Sequence, residues 1–317
     1  MLAAPSGYFL AHEDFSDTWG HGESRFDGRS RVPDLVSVIR LEQGDVLQRI
    51  QVLFCVGNSR LKQVYTLRGD VPFLDVDVEV NWQERHTCLK LYYAPAIRES
   101  EIFWETPFGA IRRCASGEEE PLQSWIDLSA NAESEEDWGM AFAVRGIGGA
   151  HVRDGMVGLT LLRSPVYVHH APHVLEEETD IYDYTDQGIQ CLQYRVIPHE
   201  GHWRDSNITR ESLLLNLQAV KITETFHRGN LPQRFSGIEI NVGNVLLSCL
   251  KFACDGDGII LRLWESCGKS TRARIRLTLL EQYIETEFGP YEVKTWRLRP
   301  GQCPEECLMT EFGLPDT

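Results

Sequence analysis

Alternation of apolar and polar residues is the feature of this sequence that most restricts its fold. Apolar residues occupy every second position over residues 74–80 and again over residues 275–279. Side chains alternate between the two faces of a β-strand, so this pattern predicts strands with one buried and one solvated face. Turn signals at short spacing separate such runs; they are Gly57–Ser59, Arg68–Asp70, Gly148–Gly149 and Asp255–Gly258. The sequence therefore predicts an all-β fold of sandwich architecture.

Two further segments carry specific structural predictions. The apolar run Ile50–Val56 predicts a strand that is buried on both faces. Residues Ile208–Val220 form the best helical candidate, with Thr209 as a possible N-cap and Glu211 in the first turn. Helices and strands do not alternate along the chain, which excludes a Rossmann sheet and a TIM barrel.

Composition narrows the functional classes. The 317 residues include 31 Lys and Arg against 47 Asp and Glu, a formal net charge of −16, which argues against a nucleic-acid partner. No apolar run reaches the ~18–20 residues that cross a membrane, and the first residues do not resemble a signal peptide. The nine cysteines are scattered singly, as in reduced proteins. We therefore expect a cytoplasmic location.

The alternation breaks near residues 220–235, where Gly229 and Pro232 are typical of a linker. We predict a first domain over residues 1–222, a linker over 223–234 and a small second domain over 235–300. Residues 301–317 are predicted to form an irregular tail.

Three acidic runs and one histidine group are the densest sets of ionisable residues. The acidic runs are Glu118–Glu120, Glu133–Asp137 and Glu176–Glu178. Adjacent carboxylates in loops are usually solvated, so we expect these runs to be exposed. His169, His170 and His173 have the spacing of zinc ligands on a helix, but Pro165 and Pro172 disfavour a helix there. We therefore predict no metal site in this chain.

Several short segments, in the same order along the chain, resemble the C-terminal β-region of family 38 glycoside hydrolases, the α-mannosidases, in their bacterial cytoplasmic form. They are Asp17–Gly22, Asn81–Glu84, Leu89–Leu91, Pro107–Ile111, Glu119–Trp125, Leu161–Pro165, Thr185–Gly188, Glu224–His227, Leu250–Lys251 and Asp255–Gly258. The resemblance extends from about residue 8 to residue 299 and so covers almost the whole chain.

The resemblance implies a large β supersandwich, similar in fold to galactose mutarotases, followed by a small C-terminal β-sandwich. In this family an N-terminal α/β barrel holds a zinc ion through two His and two Asp, and one Asp is the nucleophile of a retaining mechanism. This sequence has no His-x-Asp motif in a barrel context, so we expect it to be inactive alone, with no catalytic residue of its own. Family members carry further strands before the segment that matches Ser6–Asp14, and we expect those strands to be missing here.

The function implied by the resemblance is that of a non-catalytic C-terminal part of an α-mannosidase. It would shape the rim of the active site and support the zinc-bearing barrel. The expected partners are the catalytic barrel of the same or a split enzyme, mannose-containing glycans and, in a homo-oligomer, other copies of the chain.

One segment combines the groups that a pyranose pocket needs. Asp14, Asp17, Trp19 and His21 lie within eight residues of each other. Carboxylates accept hydrogen bonds from sugar hydroxyls, and an aromatic ring packs against the apolar face of the sugar. We predict that these four residues contact substrate. A structural interpretation also fits, in which Asp17 caps a turn and Trp19 fills the end of the sandwich.

Two other functional classes remain open. A stand-alone carbohydrate-binding module would stack sugar on exposed indole rings, unless these rings belong to the core. The rings in question are Trp19, Trp82, Trp104, Trp125, Trp138 and Trp203. A mutarotase-like epimerase would instead use a His and a Glu as base and acid, but fold alone does not establish such an activity.

Overall fold

The structure is a computed structural model that describes residues 2–97, 99–131, 137–176 and 181–312. It divides into two compact units. The first comprises Met1–Thr106 and Ile111–Leu217, and the second comprises Pro107–Ala110 and Gln218–Thr317.

The described residues before residue 201 form fifteen strands. They are β1 (Tyr8–Glu13), β2 (Ser30–Arg31), β3 (Asp34–Gln43), β4 (Leu47–Val56), β5 (Ser59–Arg68), β6 (Leu74–Trp82), β7 (Thr87–Tyr93), β8 (Ser100–Thr106), β9 (Gly109–Arg113), β10 (Glu120–Pro121), β11 (Trp125–Ala130), β12 (Trp138–Arg145), β13 (Gly149–Arg153), β14 (Met156–Arg163) and β15 (Gly188–Glu200). One sheet has six strands in the order β10-β13-β14-β7-β1-β2, and the other has nine in the order β3-β4-β5-β6-β15-β12-β11-β8-β9.

The two sheets enclose one apolar core. Phe9, Leu89 and Leu159 come from the six-stranded sheet, and Val78 and Phe142 come from the nine-stranded sheet. The alternation predicted for residues 74–80 is confirmed, because Val76, Val78 and Val80 of β6 are buried while the residues between them face solvent. The prediction for Ile50–Val56 is wrong in its burial. These residues form the larger part of β4, but only Val56 is fully buried, because the neighbouring strand β3 is exposed on both faces.

Helix is rare in the described part of the chain. One turn of 3-10 helix, Trp203–Asp205, precedes the α-helix α1, Ile208–Asn216. Thr209 lies inside α1 and does not cap it, because Asn207 occupies the N-cap position. The helix also ends before the predicted Val220. Leu217 has an extended backbone, and the side chains from Leu217 to Val220 are exposed, so burial does not stabilise a longer helix there.

The second unit is a smaller sandwich. Its strands are β16 (Ile238–Ile240), β17 (Val245–Phe252), β18 (Ile259–Glu265), β19 (Thr271–Leu277), β20 (Gln282–Phe288), β21 (Val293–Leu298) and β22 (Glu305–Cys307). A three-stranded sheet, β16-β19-β20, and a four-stranded sheet, β17-β18-β21-β22, share a core that includes Ile275 and Trp296. The tail expected to be irregular contains β22, which pairs with β21 and buries Cys307.

The predicted fold class is confirmed: 51% of the residues are in strands and 4% in helix, arranged as a large and a small β-sandwich. Residues 217–237 contain neither helix nor strand. The predicted domain limits at residues 222, 234 and 300 imply that the two domains fold independently, and they stay a prediction.

Candidate functional site

The loop that follows β1 carries the four predicted site residues, and Asp14 anchors it. Arg163, at the end of β14, donates from Nε to Asp14 Oδ2 at 2.8 Å. The other oxygen, Oδ1, accepts from the backbone N–H of Ser16 at 3.1 Å and from its hydroxyl at 2.5 Å. Asp14 is buried, and both of its oxygens are engaged within the protein. Its geometry is therefore that of an anchor and not of a carboxylate presented to a ligand.

Asp17 is also buried, and it orients His21. Its Oδ1 accepts from the backbone N–H of His21 at 2.9 Å, and its Oδ2 accepts from His21 Nδ1 at 2.7 Å. The backbone N–H of Ala171 donates to the same Oδ2 at 2.9 Å. Burial by itself would raise the pKa of Asp17, but the hydrogen bonds from Ala171 and His21 outweigh it and hold that pKa well below its usual range. The ionised carboxylate fixes the proton of His21 on Nδ1 and directs Nε2 away from it.

Trp19, His21 and His170 form an exposed aromatic group. Trp19 is 58% exposed, and it is the one mainly exposed residue among the eight tryptophans, all of which lie in described segments. Its ring centroid lies 5.5 Å from that of His170, and the rings of His21 and His170 are 4.8 Å apart. Trp19 therefore does not fill the end of the sandwich. An exposed indole beside an oriented imidazole can pack on the C–H face of a pyranose and hydrogen-bond a hydroxyl.

The turn that presents Trp19 and His21 depends on Gly20. Its backbone φ is +68°, in the left-handed region that favours glycine. The Gly20 N–H donates to the Asp17 carbonyl at 3.1 Å and closes the turn. A tight turn of this kind brings the side chain of His21 back onto Asp17.

The segment after β14 holds the loop from the other side. The Thr18 N–H donates to the carbonyl of His169 at 3.0 Å, and the Thr18 hydroxyl donates to the carbonyl of Val166 at 2.8 Å. His169 Nε2 lies 2.8 Å from the carbonyl of His173. Within the described ranges, no three His, Cys, Asp or Glu side chains converge to hold a metal ion.

Two residues of the site are not predicted by the sequence pattern. The spacing of His170 predicts at most a metal ligand, yet its ring lies against that of His21. Arg163 belongs to the segment Leu161–Pro165 that carries the resemblance, and the sequence alone indicates no chemistry for it. Its Nη2 donates to Ser16 Oγ at 2.6 Å, and its guanidinium stacks at 4.0 Å from the centroid of the Phe26 ring. Arg163 ends strand β14, and this position at the end of a strand is the one sequence signal that could have identified it.

Most of the tryptophans proposed as a sugar platform are core residues. Trp138 is half-buried, and the fully buried ones are Trp82, Trp104, Trp125 and Trp203. A buried indole cannot stack on a sugar, so of the six only Trp19 offers a mainly exposed ring.

The expectation that the acidic runs are exposed is wrong for two residues of the run Glu118–Glu120. Glu119 is largely buried and accepts a hydrogen bond from Lys90 Nζ at 2.6 Å. Glu120 is half-buried in β10 and pairs with Arg113. Within the other two runs, residues 133–136 and 177–178 lie outside the described residues.

Comparison with solved structures identifies the class of fold. An α-mannosidase from Enterococcus faecalis V583 matches 93% of this chain with a TM-score of 0.74 at 12% sequence identity. A family 38 glycosyl hydrolase from Enterococcus faecalis matches with a TM-score of 0.76 at 12% identity, again over 93% of this chain. The chain covers 38% and 40% of those two proteins. The large and the small sandwich together thus have the fold of a portion of these proteins.

The sequence comparison identifies the family. Residues 4–173 match the glycosyl hydrolases family 38 C-terminal domain, and the chain belongs to this family. Mouse alpha-mannosidase 2C1 is 28% identical over 223 residues, and alpha-mannosidase G of Dictyostelium discoideum is 27% identical over 276 residues. These alignments cover 67% and 76% of this chain but only 19% and 24% of the two relatives.

In the described segments, no helix is both long and apolar enough to cross a membrane.

Proposed function

We propose that this chain is the non-catalytic C-terminal β-region of an α-mannosidase-type glycoside hydrolase. In this proposal it shapes the rim of the active site and supports a zinc-bearing α/β barrel, which carries out catalysis. The observation that carries the proposal is the match of 93% of this chain to only 38% of an α-mannosidase. Zinc chemistry is assigned to the barrel, and no catalytic step is assigned to a residue of this chain.

The candidate loop is the part of the chain that we assign to the rim. Trp19 packs on the apolar face of a mannose unit, and His21 Nε2 hydrogen-bonds one of its hydroxyls. Asp17 holds the imidazole in place through the 2.7 Å contact with Nδ1. Asp14 and Arg163 set the position of the loop and do not touch the sugar. This distribution of roles follows from exposure, since Asp14 and Asp17 are buried and Trp19 is not.

The chain alone tests the assignment of catalysis. We expect no zinc-dependent hydrolysis of an aryl α-mannoside by the purified protein. Turnover that a chelator abolishes and zinc restores would contradict the proposal.

An enzyme reconstituted with a family 38 barrel, fused or co-expressed, tests the role of the loop. Trp19→Ala is expected to lower kcat/KM with an unchanged melting temperature, because it removes stacking area and no core packing. Asp17→Asn is expected to lower kcat/KM as well, since it releases His21. Tyr283→Ala is the matched control, because Tyr283 is 59% exposed on β20 of the second unit. Equal activity of Trp19→Ala and the control would contradict a substrate role for the loop.

A stand-alone carbohydrate-binding module is the second candidate, and the exposure of Trp19 is the observation that favours it. Calorimetric titration of the isolated chain with mannose and short manno-oligosaccharides distinguishes the two. The module is favoured if the isolated chain binds sugar, if Trp19→Ala abolishes this binding, and if addition of a barrel produces no activity.

We also propose a cytoplasmic location. All nine cysteines are free thiols, as expected for a protein in a reducing compartment.

A further inference from the structure

A second group of polar side chains lies on the face of the six-stranded sheet that points away from the core. Leu89 and Leu91 of β7 belong to the core. Lys90 and Tyr92 alternate with them along the strand and therefore project from the opposite face. His151 of β13 projects from the same face. The Lys90 side chain is only 2% exposed, which is rare for a lysine and requires partners.

The hydrogen bonds of Lys90 fix the protonation of its neighbours. Its Nζ donates to Glu119 Oε2 at 2.6 Å and to His151 Nδ1 at 3.1 Å. Thr160 donates its hydroxyl proton to the other oxygen of Glu119. The Nδ1 atom of His151 also lies 3.6 Å from Glu119 Oε2, farther than from Lys90 Nζ. An ammonium group can only donate, so in the neutral ring of His151 Nδ1 is an acceptor and the proton lies on Nε2. No described residue accepts a hydrogen bond from Nε2, and His151 lines a cleft.

Tyr92 supplies the complementary acceptor. His12 Nδ1 lies 3.1 Å from the carbonyl of Gly28, which can only accept, so Nδ1 carries the proton. The phenol of Tyr92 therefore donates to His12 Nε2 at 2.8 Å. Burial lowers the pKa of His12, in agreement with a neutral ring. The oxygen of Tyr92 keeps lone pairs free to accept a hydrogen bond from a ligand.

Two glycines make room for this group. A Cβ at Gly158 would lie 2.1 Å from Cε1 of His151, and a Cβ at Gly149 would lie 2.8 Å from Oε1 of Glu119. Both glycines lie in strands, where glycine weakens the sheet and marks a close approach. Because glycine has no side chain, His151 can lie against the backbone of Gly158, and Glu119 can lie against that of Gly149.

The cleft above this group has a volume of about 180 Å³. Lys90, Tyr92 and His151 contribute polar groups to its lining, and Phe26 and Met156 contribute apolar ones. Its charged residues are engaged within the protein: Arg153 pairs with Asp27 at 3.3 Å and with Asp154 at 3.7 Å, and Arg25 donates to the carbonyl of Ser116 at 2.8 Å. The charge of Lys90 is balanced by Glu119, so the charged pair at the base of the cleft does not call for an ionic ligand.

We propose that this cleft binds one unit of a neutral sugar or a similar polyol. His151 Nε2–H and the remaining N–H of Lys90 donate to hydroxyl oxygens, Tyr92 Oη accepts from a hydroxyl, and Phe26 and Met156 pack on C–H groups. The cleft lining contains neither Trp19, His21 nor His170. The site is therefore separate from the candidate loop, and it does not depend on the function proposed above.

The four methionines provide a direct test in the unaltered chain. Met156 lines the cleft, Met140 is buried in the core of the first unit, and Met309 lies in the second unit. With 13C-methyl methionine labelling, titration with methyl α-mannopyranoside is expected to shift the Met156 signal saturably and to leave Met140 and Met309 unchanged. Met156→Leu assigns the signal.

Variants locate the ligand. Tyr92→Phe removes the acceptor and is expected to weaken binding about three- to tenfold, the effect of one hydrogen bond. Tyr283→Phe, on an exposed strand of the second unit, is the control and should bind as the unaltered chain does.

Two outcomes would overturn the inference. One is the absence of a saturable Met156 shift at the highest soluble ligand concentration. The other is binding that Trp19→Ala abolishes and Tyr92→Phe leaves unchanged, which would assign the sugar to the candidate loop. If Tyr92→Phe fails to fold, the Met156 shift of the unaltered chain decides the question.

Discussion

Arg163 is the residue on which the candidate loop most depends. It reaches the carboxylate of Asp14, the hydroxyl of Ser16 and the carbonyl of Asp17, the last at 3.3 Å from Nη2. Its guanidinium also stacks on Phe26. The planar group with several fixed donors suits this task, which a lysine ammonium would not reproduce. One side chain therefore connects the end of β14 with successive residues of the loop.

Arg163→Gln is expected to destabilise the first unit by about 3 kcal/mol, because it leaves the buried carboxylate of Asp14 without its cation. Urea denaturation measures the change. Arg112→Gln is the control; Arg112 pairs with Glu101 at 3.0 Å on the exposed surface and should cost less than about 1 kcal/mol. Similar losses in both variants would contradict the anchoring role.

His199 predicts a pH dependence of stability. Its Nε2 donates to Asp127 Oδ1 at 2.7 Å, and both side chains are buried. Burial alone would lower the pKa of His199, but the hydrogen bond and the charge of Asp127 outweigh it and raise that pKa above its ordinary value. A raised folded-state pKa contributes stability that is complete below the unfolded value, about 6.5. This contribution is lost as the pH rises through the folded-state value.

The test compares the free energy of unfolding of the unaltered chain and of His199→Gln between pH 6 and 9. The difference between them should shrink as the pH rises. His12, His86 and His202 have lowered pKa values and act in the opposite direction, but they are common to both proteins and cancel. A difference that is constant with pH would contradict the assignment.

At the scale of elements, the position of a strand in its sheet decides what its residues contribute. β6 lies inside the nine-stranded sheet and β3 lies at its edge. Both contain apolar residues, yet Val78 of β6 is 2% exposed and Val38 of β3 is 59% exposed. Alternation in the sequence identified β6 as a strand with one buried face. It did not reveal that β4, beside β3, would be only half-buried.

Val78→Ala is expected to cost about 2–3 kcal/mol, through lost transfer free energy and the cavity it leaves. Val38→Ala removes the same atoms from an exposed position and should cost less than about 0.5 kcal/mol. Chemical denaturation of both variants gives the comparison. Equal losses of unfolding free energy in the two variants would show that β3 is covered in solution.

At the scale of the whole molecule, the exposed apolar side chains of β3 form a surface that a partner can cover. Leu35, Val36, Ile39 and Leu41 accompany Val38 on a strand whose outer edge has no partner among the described strands. Two irregularities interrupt its pairing with β4, as is common at sheet edges. An exposed apolar surface of this kind is typical of a contact between domains or chains. In the proposed enzyme, we expect the barrel to cover such surface.

The isolated chain is therefore expected to self-associate as its concentration rises. Light scattering should give a mass above the 36.2 kDa of one chain. Val38→Lys should return the mass toward that of the monomer, because a charge on the apolar strand opposes burial. Leu250→Lys, on an exposed position of β17 in the second unit, is the control. A strictly monomeric species at high concentration would favour an independent module.

The sequence alone determined the all-β class, the strands with strict alternation such as β6, and the loop that contains Trp19 and His21. These properties depend on neighbouring residues, because the period of a strand and the chemistry of a turn are local. Tertiary structure alone decided which ionisable groups are buried. Asp14 meets Arg163 across 149 residues, and Lys90 of β7 meets His151 of β13 and Glu119 of the loop before β10. The same carboxylate is a ligand when solvated and an anchor when a distant cation reaches it, and only the packing of strands far apart in the chain brings that cation into contact.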